Sequence, residues 1–338
     1  MALTLADFAK QEIPPLKKFI LENLLRYSDL MSLVPMSKSE SLTVIVPRWK
    51  TLPSVGYRQI NGTYSESTGT LEHVTEGVYL LGGEVKFDRV FDIVKNTIED
   101  PKKTQTQMKV RAIAYQFNDN LVNGDHVSDV NAPEGLNKRI VSYLPARQQF
   151  SIGTAFDATA SAANMHKLVD YFHAAANAAG LRKAPTIKPK KGDKQPAKTG
   201  AILMNEAMYL GFGKVLRRLG LLQTTQDAYG REFDSFDGIP MIDVGLKADQ
   251  STEIITNTYG ASSNETRVFF VRFGSDDGFT GLQINTPDAY DPIKAGEGAG
   301  NTTGPQKLLR IDWGYGFGGY GSYYASRISG ILAPNSWT

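Results

Sequence analysis

Residues 100–138 read DPKKTQTQMKVRAIAYQFNDNLVNGDHVSDVNAPEGLNK, and this stretch decides the fold. Asp100-Pro101 marks a helix start, because Asp can cap free backbone N–H groups and Pro lacks the N–H that would be orphaned at the first helical position. Val110, Ile113, Ala114, Phe117 and Leu121 recur at spacings of three and four and form one apolar stripe. Lys102, Lys103, Lys109, Arg111, Asn118 and Asn120 mostly fall on the wetter side. Asn123-Gly124 ends the helix, since Gly tolerates the left-handed conformation that closes one. About twenty residues of helix make a rod of roughly 30 Å. Such a rod is long for a mixed α/β chain, and it separates two regions of unlike composition.

Upstream, residues 3–34 are amphipathic. Leu16, Phe19, Ile20, Leu24 and Leu25 form a stripe behind Pro14-Pro15, which predicts either a helix on its own domain or an arm on a neighbour. Residues 41–94 change period. Leu42, Val44 and Val46 alternate with polar residues as in a strand. An extended segment, Pro47–Gln59, follows, broken by Pro53 and Gly56. Asn61-Gly62 and the polar run Thr63–Thr70 make a turn region. Leu71, Val74, Val78, Leu80, Val85, Phe87 and Val90 then restore a strand pattern. The result is a long two-stranded excursion whose polar tip cannot bury itself. Isolated hairpins are marginal in water, so the excursion is either a mobile surface loop or lies along another molecule; the β-formers flanking the tip favour the second.

Downstream, Val127–Pro145 reads as a loop, and a helix follows at Ser161–Ala179 with Ala162, Met165, Leu168, Val169 and Phe172 on its buried face and Gly180 as its stop. Residues 183–199 carry six lysines among Pro and Gly and read as a solvated loop. Ala201–Met204 is a strand, and Asn205 caps a helix ending at Gly220. Asp237-Gly238 turns into a strand at Ile239–Val244. Further strands are predicted at Ile254–Thr258, Arg267–Phe273, Phe279–Ile284, Lys307–Trp313 and Tyr323–Ile331, the last two flanking a Gly/Tyr-rich turn.

With 338 residues the chain has room for two domains, and its composition is globular. A net charge of +2 argues against condensing nucleic acid by charge alone. The absence of cysteine excludes disulfides, thiolate metal sites and cysteine nucleophiles. No apolar run is long enough to span a membrane, and Met1–Lys10 lacks a secretory pattern, so synthesis in a reducing cytoplasm is expected.

No catalytic, cofactor-binding or metal-ligating set emerges. Gly314-Tyr315-Gly316-Phe317-Gly318-Gly319 fits G-x-G-x-x-G, yet no helix and no acidic residue follow at the required distance. The glycines read instead as a tight turn between aromatic strands. His166 and His173 lie seven apart on a predicted helix without a third ligand. Ser275-Asp276-Asp277-Gly278 lacks the spacing and closing Glu of a calcium loop. Nothing favours an enzyme.

Asn123-Gly124-Asp125 followed by Glu134-Gly135-Leu136-Asn137-Lys138 resembles the passage from the spine helix into the axial domain in major capsid proteins of tailed bacteriophages. Leu52-Pro53, the Thr63–Thr70 tip and Leu81-Gly82-Gly83 resemble the sides and base of that family's extended loop; Ile202–Asn205, Gly238-Ile239-Pro240 and Arg327–Leu332 resemble its axial and return elements. The resemblance implies an α+β phage major-capsid fold, with an N-terminal arm (1–40) and an extended β-hairpin loop with its base (41–94). A peripheral domain with the spine helix (95–125 and 305–338) and an axial domain (126–304) complete it. It implies a shell protein that forms pentamers and hexamers around packaged double-stranded DNA, held non-specifically on the inner face. Separate scaffolding, portal and decoration proteins are the further partners it allows, with assembly in the host bacterial cytoplasm and residence in the virion. Leu16, Phe19, Trp49, Tyr57, Arg58, Tyr64, Glu66 and Glu72 are the inter-subunit contact candidates. An encapsulin-like compartment is the alternative within the fold, and a glycan-binding β-rich surface protein the alternative outside it. The spine stripe is expected to pack on Lys307–Trp313 and Tyr323–Ile331.

Overall fold

In the computed structural model the described residues are 3–4, 15–88, 101–181, 199–221, 223–226, 232–275, 278–285, 287–290, 306–321 and 323–334. Asp100, Val90, the basic segment 183–198, Asp276-Asp277 and most of 286–305 lie outside them.

The chain begins with β1 (Leu3–Thr4), α1 (Pro15–Tyr27), α2 (Asp29–Leu33) and β2 (Pro35–Lys38). β3 (Thr43–Thr51) and β4 (Thr70–Gly77) form a separate antiparallel ribbon, and β5 (Tyr79–Asp88) returns to the body. The long helix α3 spans Pro101–Asn123, followed by α4 (Leu136–Ser142), β6 (Gln149–Phe156) and α5 (Ala162–Ala178). Then come β7 (Thr199–Met204), α6 (Glu206–Leu219), β8 (Gln223–Gln226), β9 (Glu232–Phe236) and β10 (Ile239–Asp243). β11 (Glu265–Phe273), β12 (Phe279–Gln283), β13 (Asp288–Tyr290), β14 (Gln306–Gly319) and β15 (Ala325–Leu332) close the chain.

Two strand groups meet at one point. In the first, β11 lies between β7 and β15; β6 flanks β15, and β10, β9 and β8 continue beyond β7. In the second, β14 pairs with β12, β5 and β13, while β2 lies on the other edge of β12 and pairs with β1. Phe273 of β11 pairing with Phe279 of β12 joins them.

Two apolar layers form: the first takes side chains from both strand groups, Leu203 and Phe269 from one and Phe279 and Trp313 from the other, and the second from the first group alone. α3 buries Val110, Ile113, Ala114, Phe117 and Leu121, the stripe read from the sequence, together with Ile20, Leu21 and Leu24 of α1. For residues 19–34 the own-domain alternative therefore applies. Phe117 meets Trp313, Tyr315 and Phe317 of β14 at ring separations of 5.3–5.5 Å. The second layer lies under α5 and α6, where Phe172 stacks on Phe212 at 3.9 Å and meets Phe270 edge-on at 5.2 Å. Ser161 and Asn205 cap α5 and α6 through Asn164 N and Met208 N, and Gly180 and Gly220, at φ +72° and +68°, end them.

Several expectations are corrected. Val127–Pro145 is not all loop: α4 forms there, with Leu136 and Ile140 buried one turn apart. Ala162 is exposed at the start of α5. Residues 254–258 form no strand; adjacent Ile254 and Ile255 are both buried, which alternation forbids, and Asn205 Nδ2 ties the segment to α6 through Glu253 at 2.9 Å and Asn257 at 2.7 Å. Asn118 is buried, accepting the Ser28 hydroxyl at 2.6 Å. The Gly/Tyr-rich segment 314–319 is not a turn but the second half of β14. β15 does not lie over the α3 stripe as a whole: Ala325 reaches that layer, whereas Ile328 and Ile331 face α5 and α6. Gly124 ends α3 without a left-handed φ; a Cβ there would collide with the Pro133 carbonyl and stand 2.5 Å from Asn120 O. Gly135 is pressed against the same point, donating to Gly124 O at 2.8 Å.

Candidate assembly surface

The β3–β4 ribbon is the part of the described chain that projects most plainly beyond its own core. Its register runs from Thr43 opposite Gly77 to Thr51 opposite Thr70, with a shift between Trp49 and Thr51, and strands of this length span about 27 Å. Val78 N closes the base on Leu42 O at 2.8 Å. Val46, Glu76 and Val78 are buried at the base, whereas every residue from Thr51 to His73 is exposed.

The base is anchored by a buried charge pair. Arg139 of α4 is 1% exposed and grips Glu76 of β4 with two hydrogen bonds of 2.6 Å. Its other donors reach Glu134 O at 2.9 Å and Phe317 O at 2.8 Å, so the guanidinium joins α4, the ribbon and β14. Burial alone would favour the neutral form, but the Glu76 carboxylate outweighs it and holds the Arg139 pKa above the ordinary arginine value. Planar bidentate pairing of this kind fixes geometry as well as charge.

The glycines of β14 explain where the ribbon leaves the body. Ile311, Trp313, Tyr315 and Phe317 point to α3; Gly314, Gly316 and Gly318 fall on the opposite face. A Cβ on Gly316 would collide with Gly77 O, at the junction of β4 and β5. The dinucleotide-like spelling is thus a strand with one aromatic face and one bare face, and the ribbon base crosses the bare face.

At the far end, Ile60 and Asn61 form the turn, with Asn61 at φ +65° and Gly62 N bonded to Gln59 O at 2.9 Å. Ser54 N donates to Ser67 Oγ at 2.8 Å and the Thr51 and Thr70 hydroxyls meet at 2.5 Å, which keeps the two sides together. Arg58 lies over the Tyr64 ring at 5.2 Å and donates to Gly62 O at 3.3 Å. The tip is more apolar than its composition suggested: Tyr57 is fully exposed, Val55 and Ile60 are 95% and 93% exposed, and Leu52 and Tyr64 join them.

Of the contact candidates, the structure brings Tyr57, Arg58, Tyr64 and Glu66 together on this loop, with Glu72 exposed on the adjoining strand. Trp49 stands opposite Leu71 in the register, and its side chain, like that of Leu16 on α1, is outside the described set. Phe19 is half-buried against the body's own core rather than on the loop. Sequence reasoning passed over Val55, Ile60, Glu76 and Arg139. The available signal for the last two was a lone acid within the β pattern Val74–Val78 and a base directly before Ile140 and Val141.

No family model matches the sequence, and no curated protein does. Solved structures do match. The holo-SrpI encapsulin complex from Synechococcus elongatus PCC 7942 aligns over 97% of this chain and 94% of its own, at 11% identity and a TM-score of 0.58. The capsid of a native GTA particle aligns over 95% and 93%, at 14% identity and a TM-score of 0.55. A chain from Mycobacterium phage Bobi aligns over 90% and 89%, at 13% identity and a TM-score of 0.55. The chain therefore has the α+β fold of phage-capsid and encapsulin proteins.

Proposed function

We propose that this protein is a shell subunit that assembles with many copies of itself into pentamers and hexamers of a closed capsid. The observation that carries the reading is the β3–β4 ribbon with its loop: anchored at its base by a buried ion pair, yet presenting Val55, Tyr57, Ile60 and Tyr64 of the loop to solvent. A monomer gains nothing from exposing such residues on a projecting loop, whereas a neighbouring copy can cover them. Each copy would give one surface and receive a different one, the heterologous contact from which rings close. In this reading residues 1–40 are the N-terminal segment, of which Ile20–Met36 pack on the subunit's own core rather than on a neighbour, and 41–94 are the loop with its base; 95–125 with 305–338 form the peripheral part, and 126–304 the ring-forming axial part.

The content we propose is double-stranded DNA, enclosed without sequence preference by subunits of net charge +2, in a bacteriophage virion assembled in the host cytoplasm. Scaffolding, portal and decoration proteins would be separate chains. The encapsulin among the matching structures supports a second reading, a compartment that encloses a protein cargo.

Excising residues 55–66 and joining Ser54 to Ser67 through two glycines tests the central claim, because the ribbon and its Glu76 anchor stay intact. The variant should remain folded at 37.1 kDa less the excision, while the intact chain elutes as a megadalton particle visible by electron microscopy. Normal particles from the excised variant would sink the reading. Nuclease-protected DNA in intact particles supports the capsid; a co-purifying protein without DNA supports the compartment.

A further inference from the structure

Two arginines on neighbouring strands stand together without a carboxylate. Arg327 of β15 pairs opposite Phe269 of β11, and Arg267 sits two residues earlier in β11, where the register shifts between Thr266 and Val268. Arg267 lies 3.8 Å over the Tyr259 ring. Arg327 donates to Asn137 Oδ1, at the start of α4, at 2.6 Å. The Nε atom of each is shut off from water and has no acceptor. Among the described residues neither forms an ion pair. The acid closest in sequence, Glu265, accepts the Ala155 N–H at 3.0 Å. Burial first, and the Arg267 charge second, bring Arg327 down to about 10.

Withdrawing a charged group from water is costly unless it is paired, and a like-charged neighbour adds to the cost. A stack on Tyr259 explains one arginine at this place and not two. Both guanidinium planes are held, one by the ring and one by the amide, and their Nη groups keep donor capacity that no acceptor among the described residues takes up. A fixed planar fork is the side chain suited to phosphate.

We propose that Arg267 and Arg327, oriented by Tyr259 and Asn137, form a binding site for one compact phosphate-class oxyanion, either free phosphate or a phosphate of a nucleic-acid backbone. The site does not depend on the shell reading.

The test is an unfolding titration of the purified protein with inorganic phosphate, against sodium chloride at matched ionic strength. Phosphate should raise the unfolding midpoint beyond chloride, and Arg327→Gln should weaken the apparent affinity at least tenfold. In phosphate-free, low-salt buffer Arg327→Gln should unfold no earlier than the parent, because it removes one of two repelling charges. Arg267→Lys, which keeps the charge and loses the fork, should also weaken the phosphate response. A second arm adds a short DNA duplex: competition with phosphate assigns the oxyanion to a nucleic-acid backbone, and its absence assigns it to a free anion. Equal phosphate responses in parent, Arg327→Gln and Arg267→Lys would overturn the site. So would an Arg327→Gln midpoint lowered by the same amount in both buffers, the mark of a packing role alone.

Discussion

Arg139 is the residue whose loss should be felt furthest. Arg139→Met would leave the Glu76 carboxylate buried without its partner, and breaking one side of a buried pair costs about 3–5 kcal/mol. Urea denaturation of unassembled subunit should show that loss, and the double change Arg139→Met with Glu76→Met should recover most of it. Arg139 itself contributes little pH dependence. Because Arg139 is raised above the ordinary arginine value, its stabilisation is complete below that value and lost only at more alkaline pH, beyond the range where such proteins are handled. Asp125 has the opposite sign. The Val127 N–H at 3.0 Å, and then Lys138 at 3.1 Å, hold its pKa below the usual carboxylate value. Its contribution is present above about pH 4 and lost as pH falls through the depressed value. Solvent screens this pair, so Asp125→Asn should cost under about 1 kcal/mol at pH 7. Parent and variant should converge in acid; a gap that persists there would contradict the assignment.

At the scale of the element, β14 and α3 show what a sequence displays and what it conceals. α3 was legible because five apolar residues repeat at helical spacing and all five are buried. β14 was legible only to Trp313, because Gly reads as a turn residue when its partner strand is unknown. The glycines are there because another backbone passes over them, a fact that belongs to the tertiary fold. α4 was concealed by its length of seven residues, about two turns, too short for periodicity to declare. Residues 254–258 failed for the reverse reason: a local apolar pair imitates a strand while its polar neighbours are committed to the Asn205 cap. The loop was legible as an excursion, but its apolar tip was not, since Val55 and Ile60 look like ordinary strand residues until their exposure is seen. The bare face of β14 yields its own expectation. Gly316→Ala would drive a methyl into Gly77 O, and such overpacking costs about 1–3 kcal/mol. Because the strain falls at the ribbon's root, shell formation should drop by more than the unfolding midpoint alone would explain. Equal losses in the two measurements would separate the ribbon's angle from its function.

For the whole molecule the question is what the chain does with the apolar surface its loop leaves exposed. From Leu52 to Gly69 the chain has no strand pairing; the main-chain N–H groups bonded there to described residues are Gly62 N, to Gln59 O, and Ser54 N, to a serine hydroxyl. Amides without protein acceptors exchange with solvent freely, so in the unassembled subunit these should exchange at nearly unfolded-chain rates while α3 and β14 stay protected. If the loop lies along a neighbouring copy, its main chain and its exposed Val55, Tyr57, Ile60 and Tyr64 become covered together. Exchange of residues 52–69 should then slow at least tenfold in assembled particles, with no comparable change in the cores under α3 and α5. Hydrogen–deuterium exchange on the two forms of the intact chain measures this directly. A loop that exchanges equally fast in both would be a surface excursion after all, and shell contacts would have to be sought elsewhere on the subunit, whatever the fold.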